Sequence, residues 1–444
     1  MAEKHQHTVQ HLRVKIDAGS NDFRDYRKLG SLLFRLGQYQ ECPTLFEKAK
    51  NLSRKNLDKA KTCVDLGWTA FWSEKYEQSR QLAEEALAFL ATEKETPEVF
   101  AWRGAAQNIE VHCEWVKDRD AGEWFLESEK AKQTAHLALS YLGQVPFNCV
   151  HFEEKATAFY DAANIHSLLG NTDECLERAQ LCLKISQDNW ERAACLTIIA
   201  ETLRGVDRLL EAQAAIDEAW GYAEEWRCLL PKLWLEKGLV QRLMNRPIEA
   251  RQSFGQGLLL IESAFSDPRF QPIKTELYAN LGAACYEIGD IRGATEAFST
   301  VLMDLPQTDP YYRTGKVWLG RCLESSGDAE GARTCFVEAL NLDLDHESKL
   351  TALEGLARLT CTERKYDKAA EMFEQLVLLL EKTDPRWINA KLWIAYCNEG
   401  LGNSRRARDG YEVVLASEQS TEIELRRASE GLQRLNGPNA PQYH

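Results

Sequence analysis

Three histidines, His5, His7 and His11, crowd the first dozen positions and have the donor atoms of a metal site. Imidazole ligands bind a metal ion only when a rigid frame converges three or four donors. At a chain end these three read as a polar leader, and no metal or cofactor is expected. Adjacent carboxylates such as Glu84/Glu85 and Glu153/Glu154 have the atoms for general acid–base work. That chemistry needs carboxyl groups held in a cleft with shifted pKa values, whereas acidic neighbours on a charged helix face water. The chain holds no G-x-x-x-x-G-K-[ST] loop, no G-x-G-x-x-G turn, no H-E-x-x-H pair and no G-x-S-x-G elbow. A non-catalytic protein is expected; a hydrolytic or phosphatase-like use of interior carboxylates has no motif behind it.

The elements that would position any functional residue recur at a nearly fixed step. Small residues are followed four positions later by a small or larger apolar one: Cys42/Phe46, Ser79/Ala83, Cys175/Ala179, Ala212/Ile216, Ala250/Phe254, Ala294/Phe298, Ala332/Phe336, Ala369/Phe373 and Ala407/Tyr411. Successive steps are 37, 96, 37, 38, 44, 38, 37 and 38 residues, a period that belongs to stacked arrays. In YANLGAACYEIGD, Tyr278, Leu281, Cys285 and Ile288 share one helical face, and Gly289 and Asp290 end it. IRGATEAFSTVL then opens a second helix with Ile291, Ala294, Phe298 and Val301 facing in.

This scheme resembles the tetratricopeptide repeat family, whose pattern is W-x2-L-G-x2-Y followed by G-x-Y-x2-A-x3-F-x2-A. The residues that carry the likeness include Leu29, Gly30, Gly37, Tyr39, Cys42, Phe46 and Ala49 in the first unit, and Trp318, Leu319, Gly320, Gly327, Ala332, Phe336 and Ala339 in a later one. No unit carries the whole pattern, and the steps exceed the family's usual 34 residues. The resemblance implies an all-α, right-handed superhelical α-solenoid of about ten antiparallel helix pairs over 23–420. A leader over 1–22, partly helical or disordered, precedes it. The 96-residue step hides a degenerate long unit near 97–152, read as helices over 97–117 and 122–142. The segment SAFSDPRFQPIK forms a further insertion, a capping helix is expected over 421–436, and 437–444 reads as a disordered tail.

In the family the first helix of each unit lines a concave groove. Carried over by position, the resemblance implies partner contacts at Arg27, Phe34, Trp68, Phe71, Trp72, Tyr160, Asn164, Arg204, Arg242, Tyr286, Arg321, Arg358 and Tyr396. Trp68, Phe71 and Trp72 would supply aromatic anchors at the N-terminal mouth, or else pack as core. Arg204, Arg242, Arg321 and Arg358 would form a basic row suited to carboxylates. Alternatively Glu201 with Arg204, and Arg321 with Glu324, would pair along their own helices at three-residue spacing.

Composition bounds the partner. With 54 basic and 68 acidic residues the net charge is −14, which argues against a phosphate-backbone or anionic-membrane partner. Thirteen cysteines, scattered without a C-x-x-C pair, point to a reducing, cytoplasmic location, and no signal-peptide pattern or apolar run of about 18 residues occurs. The expected function is a protein-interaction scaffold or adaptor that grips an acidic or extended segment of a protein partner in its groove. The alternative is a peptide-sensing regulator that changes superhelical pitch, with 1–22 and 97–142 as the effector surface.

Overall fold

The computed structural model describes residues 2–120, 125–149, 152, 154–224, 226, 228–264, 270–342 and 344–436. The expected tail over 437–444 and the centre of the SAFSDPRFQPIK insertion lie outside them. Among the described residues every regular element is helical. The chain divides into two compact units, Met1–Ala284 and Cys285–His444.

The first unit begins with α1 (Ala2–Asp17) and α2 (Phe23–Arg35), followed by a 3-10 turn at Tyr39–Glu41 and α3 (Cys42–Leu52). Four antiparallel pairs come next: α4 (Asn56–Phe71) with α5 (Tyr76–Ala91), α6 (Pro97–Asp120) with α7 (Glu129–Leu142), α8 (Lys155–Leu168) with α9 (Thr172–Ile185), and α10 (Asn189–Gly205) with α11 (Leu209–Ala223). Then follow α12 (Leu230–Leu243), α13 (Pro247–Ala264) and α14 (Gln271–Glu287). The second unit contains α15 (Ile291–Asp304), the pairs α16 (Pro310–Ser326) with α17 (Ala329–Leu340), α18 (His346–Thr362) with α19 (Tyr366–Leu379) and α20 (Pro385–Gly400) with α21 (Ser404–Ala416), and finally α22 (Glu422–Asn436).

Close packing within a pair follows from one repeated lock. A glycine on the first helix receives the ring of the phenylalanine sixteen positions later. A Cβ placed on Gly30, Gly238 or Gly320 would lie 2.7, 2.3 or 2.7 Å from the rings of Phe46, Phe254 and Phe336. The small partners Cys42, Ala250 and Ala332 are fully buried beside them, so the small-residue period is a steric requirement of helices in contact. Aspartate begins most helices of the second unit: Asp290, Asp309, Asp328, Asp345 and Asp384 each accept a backbone N–H of the first turn. Two of them precede a proline at the first helical position, where no N–H is missed.

Helices form in the expected leader and over the expected cap, and one helix start departs from the sequence expectation, each with a local cause. The leader forms helix α1, whose Val9, Leu12 and Ile16 join the core with Leu29, Leu33 and Phe46. The second helix of the long unit begins at Glu129 rather than 122, because Ser128 caps it by accepting from the Ala131 N–H. The C-terminal helix packs on α21, with Leu435 and Ala428 in one cluster with Tyr411 and Val414.

Candidate inner-face binding surfaces

In the first unit the early helices fold against the later ones. The Arg35 guanidinium meets Asp188 at 2.5 Å and lies 5.1 Å from the Trp190 ring centre. The Cys228 thiol donates to the Arg35 carbonyl at 2.7 Å, and His5 packs on Trp226 at 4.3 Å. Tyr39 joins the cluster of Leu235, Phe254 and Leu277. The α1–α2 module therefore sits across the N-terminal ends of α10 and α12.

Arg27 lies inside this closure. It donates to Asp65 at 2.6 Å and to Glu154 at 3.3 Å, and its guanidinium lies 5.1 Å from the Trp102 ring. Burial works against the charge, yet the two carboxylates hold its pKa above the ordinary arginine value. Lys61 completes the group through Glu98 and Glu154. Phe34 is half-buried, edge-on to Tyr39. The expected aromatic trio separates by depth. Phe71 is core, surrounded by Trp68, Trp72, Tyr76 and His112; Trp68 is half-buried on His112, and Trp72 is 46% exposed. Only Trp72 is open enough to anchor a partner.

Asn164 belongs to a buried polar network. The His112 Nδ1–H donates to the Asn108 carbonyl at 2.9 Å, which leaves Nε2 to accept from the Asn164 amide at 3.2 Å. Burial lowers the His112 pKa to about 4. The Asn108 amide N–H donates to Asp161 at 3.2 Å while its own Oδ1 has no partner. Burial pushes the Asp161 carboxyl up to about 7 against that hydrogen bond. Protonated, the carboxyl gains an O–H donor that the carboxylate lacks. Tyr160, near the same helix face, packs against Trp190.

Arg204 pairs with the fully buried Glu236 at 2.8 Å, and Lys232 bridges Glu236 at 3.0 Å and Glu201 at 3.5 Å. Burial opposes ionisation of Glu236, but Lys232 and Arg204 keep its carboxyl below the usual range. Burial likewise opposes the Lys232 charge, and Glu201, Glu236 and Glu276 outweigh it. Lys232 and Glu201 keep 31% and 41% of their side chains accessible. Arg242 donates to Asn280 at 2.8 Å.

In the second unit Arg321 is stacked, its guanidinium 4.5 Å from the Trp318 ring centre and 4.7 Å from that of Tyr286. Arg358 is held by Glu324 and by Glu354 at 2.6 Å. Tyr396 packs edge-on to Trp393 and Tyr366 and is 41% exposed. A cleft of about 390 Å³ opens between α18, α20 and α22, lined by Glu354, Arg358, Pro385, Arg386, Asn389, Trp393, Glu424 and Arg427.

The arginines expected as a free basic row thus all carry internal partners, and the pairing differs from both sequence readings. Glu201 meets Lys232 and Glu324 meets Arg358, each in the neighbouring repeat rather than on its own helix. Sequence reasoning missed Lys232, Glu236, Glu354, Arg386 and Trp393. The i,i+4 spacing of Lys232/Glu236 and Glu354/Arg358 was the available signal. Among the described residues no group of three or more His, Cys, Asp or Glu side chains is arranged to hold a metal ion. Among them, too, no helix is long and apolar enough to cross a membrane.

No family model matches the chain, and no curated protein does. Solved structures do. A monomeric mutant of IFIT1 with Gppp-AAAA matches over 98% of this chain and 94% of that one, at 12% identity and a TM-score of 0.50. The APC/C hetero-tetramer Cut9–Hcn1 matches over 98% and 88%, at 14% identity and 0.43. PilW, a type IV pilus biogenesis factor, matches over 53% and 96%, at 18% identity and 0.42. At such identities the likeness is one of fold alone, an all-α array of stacked antiparallel helix pairs.

Proposed function

We propose that this chain is a divergent tetratricopeptide-like scaffold, working in a reducing compartment, that holds an extended segment of a partner protein against its inner helices. The observation that carries the reading is the cleft between α18, α20 and α22, where three successive inner helices offer polar groups around the Trp393 ring. In place of the acidic segment expected from the sequence, the charges around the cleft favour a basic one. The cleft wall carries three guanidinium groups, Arg358, Arg386 and Arg427, and two carboxylates, Glu354 and Glu424; Arg358 and Arg386 are already engaged by Glu324, Glu354, Glu347 and Asp384. Guanidinium groups already paired offer little to an incoming carboxylate, and a chain of net charge −14 favours a segment with lysine or arginine side chains. The same net negative charge repels a phosphate backbone.

Fluorescence anisotropy with labelled Lys/Arg-rich, neutral and Asp/Glu-rich peptides tests this. Binding of the basic set alone is expected, weakening as salt rises and lost on Trp393→Ala or Glu354→Gln. Equal binding of the acidic set, or no binding of any set, would overturn it. The regulatory alternative keeps one supporting observation, the closure of α1–α2 on α10 and α12. A change in hydrogen exchange of α1 on adding a bound peptide would favour it.

A further inference from the structure

Cys361 in α18 and Cys397 in α20 stand 36 positions apart on the inner helices of consecutive repeats, and their sulfurs lie 3.7 Å apart. Both side chains are closed to solvent, at 3% and 0% exposure, in one apolar cluster with Phe373 and Leu353. Cys42 and Cys175 spend their thiols on the Gly30 carbonyl and the Thr202 hydroxyl, whereas Cys361 and Cys397 have each other.

We propose that Cys361 and Cys397 are a redox modification site, converted by hydroperoxide into a reversible disulfide that ties α18 to α20. The Cys361 thiolate attacks one peroxide oxygen; the S–O bond forms, the O–O bond breaks, and the departing oxygen leaves as water after taking up a proton. The Cys397 sulfur then attacks the sulfenic sulfur of Cys361. The S–S bond forms, the S–O bond breaks, and a second water leaves with the Cys397 proton. Two thiols and one hydrogen peroxide thus become one disulfide and two waters. A small thiol reverses the step by exchange.

With Cys397 as donor, the hydrogen bond between the two thiols favours the Cys361 thiolate against the opposing effect of burial, which suits Cys361 to the first attack. The sulfurs must close from 3.7 Å to about 2.05 Å, so α18 and α20 draw together. Arg358 lies one turn before Cys361, and Tyr396 is the neighbour of Cys397. Oxidation therefore acts directly behind the inner face of the second unit. Hydrogen peroxide is close to water in size and reaches buried thiols through ordinary local opening.

The test uses the full chain, reduced, freed of reductant, exposed to hydrogen peroxide under native conditions, then alkylated and digested. Mass spectrometry is expected to find the Cys361 and Cys397 peptides linked and two hydrogens lighter than the free pair. The oxidised chain should melt at a higher temperature, and dithiothreitol should reverse both changes. In Cys397→Ala the link should vanish and Cys361 should be trapped as a sulfenic acid by dimedone. Full alkylation of both cysteines after native oxidation would overturn the proposal, as would a link formed only in denaturant. The wild-type measurement decides the matter even where the variant folds poorly.

Discussion

Arg358 grips Glu324 with two parallel hydrogen bonds, Nε to Oε1 at 3.0 Å and Nη2 to Oε2 at 2.8 Å, although 34 residues separate them. The fork geometry fixes α18 against α16 through a carboxylate that a helical wheel would assign to Arg321 on its own helix. Arg321 instead stacks on Trp318 and Tyr286.

This arrangement predicts where the coupling energy lies. A double-mutant cycle of Glu324→Ala with Arg358→Ala should give about 1 kcal/mol of coupling, since the pair is only partly shielded from water. The cycle of Glu324→Ala with Arg321→Ala should give none. Urea denaturation of the four chains in each cycle measures both.

The buried network around Asn108 predicts opposing pH effects. Asp161 has its folded pKa raised to about 7 from 3.8, so the stability it contributes is full below pH 4 and is lost as pH rises to 7. His112 has its folded pKa lowered to about 4 from 6.5, so its contribution is full above pH 6.5 and is lost as pH falls to 4. Between pH 4 and 6.5 the two slopes offset each other, each worth about 1.4 kcal/mol per pH unit. Asp161→Asn should expose a stability that climbs with pH across that window, and His112→Gln one that falls. Denaturant titrations at pH 4.5, 5.5 and 6.5 measure the slopes; unchanged slopes would refute the assignment.

The glycine–phenylalanine lock predicts opposite signs for two alanine substitutions on the two helices of one pair. Gly238→Ala drives a methyl into the Phe254 ring and should cost about 1–3 kcal/mol. Gly255→Ala meets nothing within 4 Å on helix α13 and should stabilise by about 0.5–1 kcal/mol. Thermal melts of both variants decide it.

The closure of the first unit predicts a local effect at Arg35. Arg35→Ala removes the ion pair to Asp188 and the contact with Trp190. It should cost about 1–2 kcal/mol and raise amide exchange at the start of α10 and in α2. Exchange rates in α18–α20 should stay as they were. A uniform rise across both units would mean general destabilisation instead.

The sequence by itself determined the repeating element. Phe46, Phe254 and Phe336 each need a glycine sixteen positions earlier and a small residue four earlier, and such local steric demands repeat in the text of the chain. The same locality made a helix boundary legible at Gly289 and Asp290. What inner-face residues meet was not legible there. Arg27 finds Glu154, Arg35 finds Asp188, and Cys228 finds the Arg35 carbonyl, across 127, 153 and 193 residues. Side-chain periodicity reports which face of a helix is inward, but not which distant helix lies opposite. Only the tertiary structure decided that Phe71 is core while Trp72 is open, and that every guanidinium of the expected basic row already has a partner. The physical reason is that burial and charge pairing are set by the curvature with which repeats stack, summed over many small rotations that no single unit encodes.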